Sequence, residues 1–187
     1  MKIKKSFIFS VVVVLTIMYI VVSNGVNADD TDYTVPLINS DISPLPITDE
    51  DALENSIYNS FALTMSYLHN RHYDAADIKK EFSKGEGSIF GKVTRTHLNY
   101  RYISSLEALE DALNDDTNDT VVIGVMKAGF LDNKTKHAYV FMRANTYDSN
   151  CKEAYVYDAS STAVKQRLHI KSYSSISKNA VGLHEFY

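Results

Sequence analysis

The segment Glu54–Asn70, ENSIYNSFALTMSYLHN, decides how the rest of the chain is read. Together with its flank, it repeats Leu53, Ile57, Phe61, Met65 and Leu68 every three or four residues, which on an α-helix makes one apolar stripe. A helix from about Asp51 to His69 is expected, with that stripe turned to a core. Downstream, DAADIKKEFSKG (74–85) predicts a second helix, with Asp74 as N-cap and Gly85 as stop. SSLEALEDALNDD (104–116) predicts a third, capped by Ser104 or Ser105 and burying Leu106, Leu109 and Leu113. The pattern then changes. TVVIGVMKA (120–128), KHAYVFMRANTY (136–147) and KEAYVYDAS (152–160) are rich in Val, Ile, Tyr and Phe and are separated by turn residues, so three strands are expected, with AVGLHEFY (180–187) as a further one. Helices first and strands afterwards predict an α+β domain in which N-terminal helices pack on a C-terminal antiparallel sheet.

Upstream of the helix the chain has a different character. Lys2, Lys4 and Lys5 precede the apolar run FIFSVVVVLTIMYIVV (7–22), and Val26-Asn27-Ala28 supplies a small-residue cleavage site. Residues 1–28 are therefore expected to be a signal peptide and the protein to be secreted. The alternative is a membrane anchor left uncleaved, since the run is only slightly short of the ~20 residues a bilayer core needs. Residues 29–48 are acidic and contain Pro36, Pro44 and Pro46, an extended lead-in. Residues 49–187 have the length of one domain, and no second apolar run follows, so no stable membrane span is expected after cleavage.

Of 187 residues, 19 are Lys or Arg and 23 Asp or Glu, for a net charge of -4 with no basic stripe. This argues against a nucleic-acid partner. The single cysteine, Cys151, cannot form an internal disulfide, and its polar surroundings, NTYDSNCKEA (145–154), predict an exposed or half-exposed thiol without a role. His69 and His72 lack a third ligand of suitable spacing, so neither zinc nor another cofactor is expected. GEGSIFGK (85–92) lacks the Gly-Lys-Ser/Thr ending of a phosphate loop and is expected to be a turn. KVTRTHLNYRYI (92–103) carries no assignable pattern.

One constellation remains. His137 opens a strand and Asp158 closes the next, so a hairpin would make them neighbours, with the carboxylate fixing the tautomer of the imidazole and raising its basicity. A nucleophile would have to come from elsewhere, and the N-terminal end of a buried helix favours developing negative charge. Ser56 lies near such an end. Thirteen tyrosines and no tryptophan leave Tyr139 and Tyr157, on the strands around this point, as candidate ligand-binding side chains or as ordinary strand residues.

The order SIYNSFALTMSYL, SSLEALEDAL, TVVIGVMKA, HAYVFMRA, AYVYDAS resembles the papain-like C39 peptidase family over about Asp49 to Ser160. The resemblance implies a papain-like fold, with His137 at the position of the general base, Asp158 at that of the orienting acid, and Ser56, or less well Asn55, at that of the nucleophilic cysteine. The departures are specific. Ile57 and Tyr58 replace the Gly-Pro that follows the family's cysteine, Ala159 replaces the Pro after its acid, and TDEDALEN (48–55) stands where the family carries an oxyanion-binding Gln. Carboxylates there would oppose a developing oxyanion, and a serine cannot form the thiolate–imidazolium pair. The expectation is a degenerate site and a secreted pseudopeptidase whose groove binds a peptide or protein partner without turnover. Two alternatives stay open: an active hydrolase or acyl-transfer enzyme using Ser56, His137 and Asp158, and a secreted interaction or toxin-like factor using the fold as scaffold.

Overall fold

The computed structural model describes residues 42–115, 119–144, 150–160 and 169–187. The expected signal peptide and residues 29–41 of the lead-in lie outside them. Among the described residues no helix is long and apolar enough to cross a membrane.

The first helix, α1, spans Ala52–Leu68, as its periodicity predicts. It is buried nearly all round and not along one stripe alone: Leu53 and Leu68 are only half-buried, while Asn55, Ser56, Asn59, Ser60 and Thr64 are buried. Two sets of neighbours cause this. Strands cover one side of α1; the other meets a two-stranded parallel ribbon, β1 (Ile42–Ser43) with β2 (Tyr73–Asp74), and the second helix, α2 (Ala75–Phe82).

Asp74 caps α2 by accepting from Ala76 N at 2.8 Å. The helix ends at Phe82, ahead of Gly85, and Lys92 satisfies its end by donating from Nζ to Phe82 O and, at 2.9 Å, to Gly85 O. The unassigned stretch, joined by Phe90 and Gly91 from the end of the expected turn, becomes a 3₁₀ segment, Phe90–Thr96, and an edge strand, β3 (Tyr100–Ile103). In α3 (Leu106–Leu113), Ser105 is the cap, accepting from Ala108 N at 3.1 Å.

β4 (Val121–Met126), β5 (His137–Arg143) and β6 (Glu153–Tyr157) follow where the Val, Ile and Tyr runs predict them. β7 (His169–Ser172), α4 (Tyr173–Asn179) and β8 (Ala180–Phe186) close the chain. The fold is α+β, with one six-stranded sheet ordered β3-β8-β4-β5-β6-β7 and every neighbouring pair antiparallel.

Helices cover both faces of this sheet. Leu109, Ala112 and Leu113 of α3 and Tyr173 and Ile176 of α4 form one core with Val122, Tyr139, Phe141, Val156 and Leu183. Phe186 lies an odd number of residues from Leu183 and so projects from the other face, where it meets Phe61 of α1 edge-on with ring centroids 5.3 Å apart. β4 and β5 are buried along their whole length, which explains why their sequences are continuous apolar runs and do not alternate.

Candidate functional site

Two of the predicted site residues, His137 and Asp158, meet at the head of β5, and the third, Ser56, bonds the backbone of the residue that follows His137. β6 pairs with β5 as far as Val140↔Tyr157, and then the chain turns: Asp158 Oδ1 accepts from Ser160 N at 3.1 Å, an Asx-type turn. The same Oδ1 lies 3.0 Å from His137 Nε2. A carboxylate only accepts, so Nε2 carries a proton, and the neutral tautomer compatible with this bond has its lone pair on Nδ1. The imidazole packs beside Tyr139, centroids 4.9 Å apart, and is 4% exposed. The expected hairpin pair is therefore formed, and the turn and the imidazole-orienting roles of Asp158 coexist.

Ser56 reaches the same place from α1. Beyond Val140 the departure of β6 leaves Ala138 N without a strand partner on that side, and Ser56 Oγ takes it at 2.9 Å. The hydroxyl in turn donates to Leu53 O at 2.8 Å. Both directions are dictated by chemistry, since an amide N–H only donates and a carbonyl only accepts. The one hydroxyl proton is thus held by Leu53 O, and the Ser56 side chain is 0% exposed.

The position of Ser56 along α1 matters as much. The helix begins at Ala52, so Ser56 is neither an N-cap nor a first-turn residue. The N–H of Asn55 is already bonded to Asp51 O at 2.8 Å, and the free N–H groups that could stabilise an oxyanion lie before it. Around that helix start Asp49, Glu50, Asp51 and Glu54 are exposed carboxylates, which suit the helix dipole and oppose an oxyanion. Asn55, the weaker nucleophile candidate, is likewise structural: Nδ2 donates to Pro46 O at 2.8 Å and Oδ1 accepts from Lys79 Nζ at 2.9 Å.

Replacing Ser56 by alanine leaves the buried Ala138 N–H without its acceptor. The expected loss is about 1–2 kcal/mol in denaturant unfolding. A loss near zero would show that this bridge contributes nothing.

Three expectations need correction. Tyr139 and Tyr157, candidate binding residues, are each 1% exposed and fill the protein interior. Tyr139 OH donates to Phe130 O at 3.2 Å and accepts from Asn133 Nδ2, and burial pushes its pKa up to about 12. Cys151 is 8% exposed, not on the surface: its Sγ donates to Glu153 O at 3.3 Å, and its carbonyl accepts from Asn114 Nδ2 at 3.1 Å. The local sequence is polar, but Asn114, just past the end of α3, and Tyr173 of α4 reach it from far along the chain.

One residue at this site gave no signal in sequence. Asn59, one turn after Asn55, accepts from Leu45 N at 2.6 Å through Oδ1, and its Nδ2 donates to Leu45 O at 3.0 Å and to Ser160 Oγ at 3.1 Å. It ties the lead-in to the turn that positions Asp158. An asparagine inside an amphipathic helix is the only trace it leaves in the sequence.

No protein-family model and no curated protein matches this chain. Solved structures do. The peptidase domain of Streptococcus ComA, a bifunctional ABC transporter involved in a quorum-sensing pathway, is 17% identical with a TM-score of 0.49, over 76% of this chain and 94% of that one. The peptidase domain of Streptococcus mutans ComA, in complex with a small-molecule inhibitor, is 16% identical with a TM-score of 0.35, over 53% and 70%. A variant of the Salmonella effector SpvD is 15% identical with a TM-score of 0.37, over 78% and 81%.

Proposed function

We propose that this chain is a secreted, C39-like pseudopeptidase that holds an extended peptide or a partner protein at the head of β5 without cutting it. The observation that carries this reading is the double commitment of Ser56, whose only proton is given to Leu53 O and one of whose lone pairs accepts from Ala138 N in a fully buried setting. Attack on a carbonyl needs that proton passed to a base and needs N–H donors aimed at the oxyanion. Ser56 meets neither need, because its position lies inside the helical ladder.

The binding half of the proposal draws on how the site treats an extended segment of its own chain. Asn59 pairs with both main-chain groups of Leu45, and Asn55 with the carbonyl of Pro46, so amide side chains on α1 read backbone and not side chains. Main-chain hydrogen bonding is how extended peptides are commonly held.

The rival is an active hydrolase, and the His137–Asp158 pair at 3.0 Å favours it. The two part in one experiment: the full chain and His137→Ala are incubated with an unbiased peptide library, and both cleavage and retention are followed by mass spectrometry. The expected result is no cleavage by either, with saturable retention of a peptide subset. Cleavage by the unaltered chain that is absent in His137→Ala would establish the enzyme.

A further inference from the structure

The opposite end of α1, about 20 Å along its axis from Ser56, carries a cluster that the site above does not use. There the chain leaves the helix by a Schellman-type exit: Asn70 is left-handed at φ 49°, its N–H bonds Tyr67 O at 3.1 Å, and Arg71 N bonds Ser66 O at 3.1 Å. Tyr73 N is held by Ser66 Oγ at 3.1 Å. Across from this exit His97 ends the 3₁₀ segment, also left-handed, at φ 60°. Between them lies an open surface pocket of about 520 Å³ lined by Met65, His69, Arg71, Tyr73, Thr96 and His97.

Three of those six side chains are cationic or can become so, and none is a carboxylate. The Arg71 guanidinium lies over the Tyr73 ring, 4.5 Å from its centre, and among the described residues no carboxylate pairs with it. Tyr73 OH is fixed to His69 Nδ1 at 2.6 Å. The nearby acids are engaged elsewhere: Asp74 caps α2, and Asp119 bonds the Tyr67 phenol. Burial first, and then Arg71 and His97, hold His69 toward its neutral form, which marks the field inside the pocket as positive. An anion is the complement of that field.

We propose that this pocket binds the phosphate group of a small phosphate ester, with Arg71 as the bidentate donor and His69 and His97 as flanking donors. A planar guanidinium fork matches a phosphate oxygen pair, and stacking on Tyr73 pre-orients it at little entropic expense. The volume exceeds what a phosphate alone needs and falls within the range of small-molecule sites, leaving room for an organic body against Met65 and the Tyr73 ring. This site goes beyond the peptide-binding proposal and does not depend on it.

The test is calorimetric titration of the full chain with phenyl phosphate, phenol, benzoate and inorganic phosphate, repeated on Arg71→Gln and His97→Ala after matching their thermal unfolding to the unaltered chain. Saturable binding of phenyl phosphate is expected, weaker by about tenfold or more in Arg71→Gln and by several-fold in His97→Ala. No saturable binding, equal binding by Arg71→Gln, or equal affinity for phenol or benzoate would overturn the proposal. Equal affinity for inorganic phosphate would assign the site to the free ion and overturn the ester.

Discussion

Phe61→Ala is expected to lower the unfolding free energy by about 3–5 kcal/mol, a large share of the roughly 5–15 kcal/mol that holds a typical domain. Phe61 is 0% exposed, and its ring meets rings of three separate elements. Its ring meets Phe82 at the end of α2 edge-on with centroids 5.3 Å apart, Phe90 of the 3₁₀ segment at 5.4 Å, and Phe186 of β8 edge-on at 5.3 Å. Each edge-on pair adds to the area buried. Truncation removes the shared member, and the three remaining rings are tethered to different backbones, so they cannot close over the cavity together. Denaturant unfolding checks this: the midpoint should fall with an unchanged slope. A loss below about 1 kcal/mol would mean that the cluster repacks and that these elements are not held together through Phe61.

The second large effect is a loss of stability in mild acid through His184. This β8 residue is stacked face-on against Phe90, centroids 3.5 Å apart and planes within 4°, and Tyr100 OH lies 2.9 Å from its Nδ1. Burial in this aromatic setting holds its pKa down to about 4, against an ordinary 6.5. The sign follows from proton counting. Between pH 6.5 and about 4 the unfolded chain binds a proton at this residue and the folded chain does not, so the stabilisation is complete above pH 6.5 and is lost as pH falls toward 4. The full difference is on the order of 3 kcal/mol; partial exposure and the relief that the Phe90 face gives a cation reduce the expected loss to about 2 kcal/mol. His184→Phe keeps the stack and removes the titration. Across that window the variant should lose about 2 kcal/mol less than the unaltered chain, and parallel pH profiles for the two would refute the assignment.

The unequal legibility of the chain has a physical basis. Elements whose pattern is local and long stand out: the period of α1, the caps Asp74 and Ser105, and the Val, Ile and Tyr runs of β4, β5 and β6 all lie where periodicity and capping place them. α4 and β7 are short and polar, with Tyr173 and Ile176 as the helix's only buried residues, too few to establish a period. β3 begins in a tract with no alternation and is recognisable only through its pairing with β8.

By itself the sequence determined the fold class, the helix that carries Ser56, and the placement of His137 and Asp158 at facing strand ends, because each depends on residues close along the chain or on one hairpin. Tertiary structure alone decided what the site's groups do. Whether the Ser56 hydroxyl is free rests on an unpaired strand amide at Ala138, 82 residues away, which is exposed to it only because β6 turns aside at Asp158. Whether Tyr139, Tyr157 and Cys151 face solvent rests on α1, α3 and α4 closing over the sheet from both sides. Burial is a property of what arrives from elsewhere in the chain, and a residue's own neighbours in sequence do not encode it.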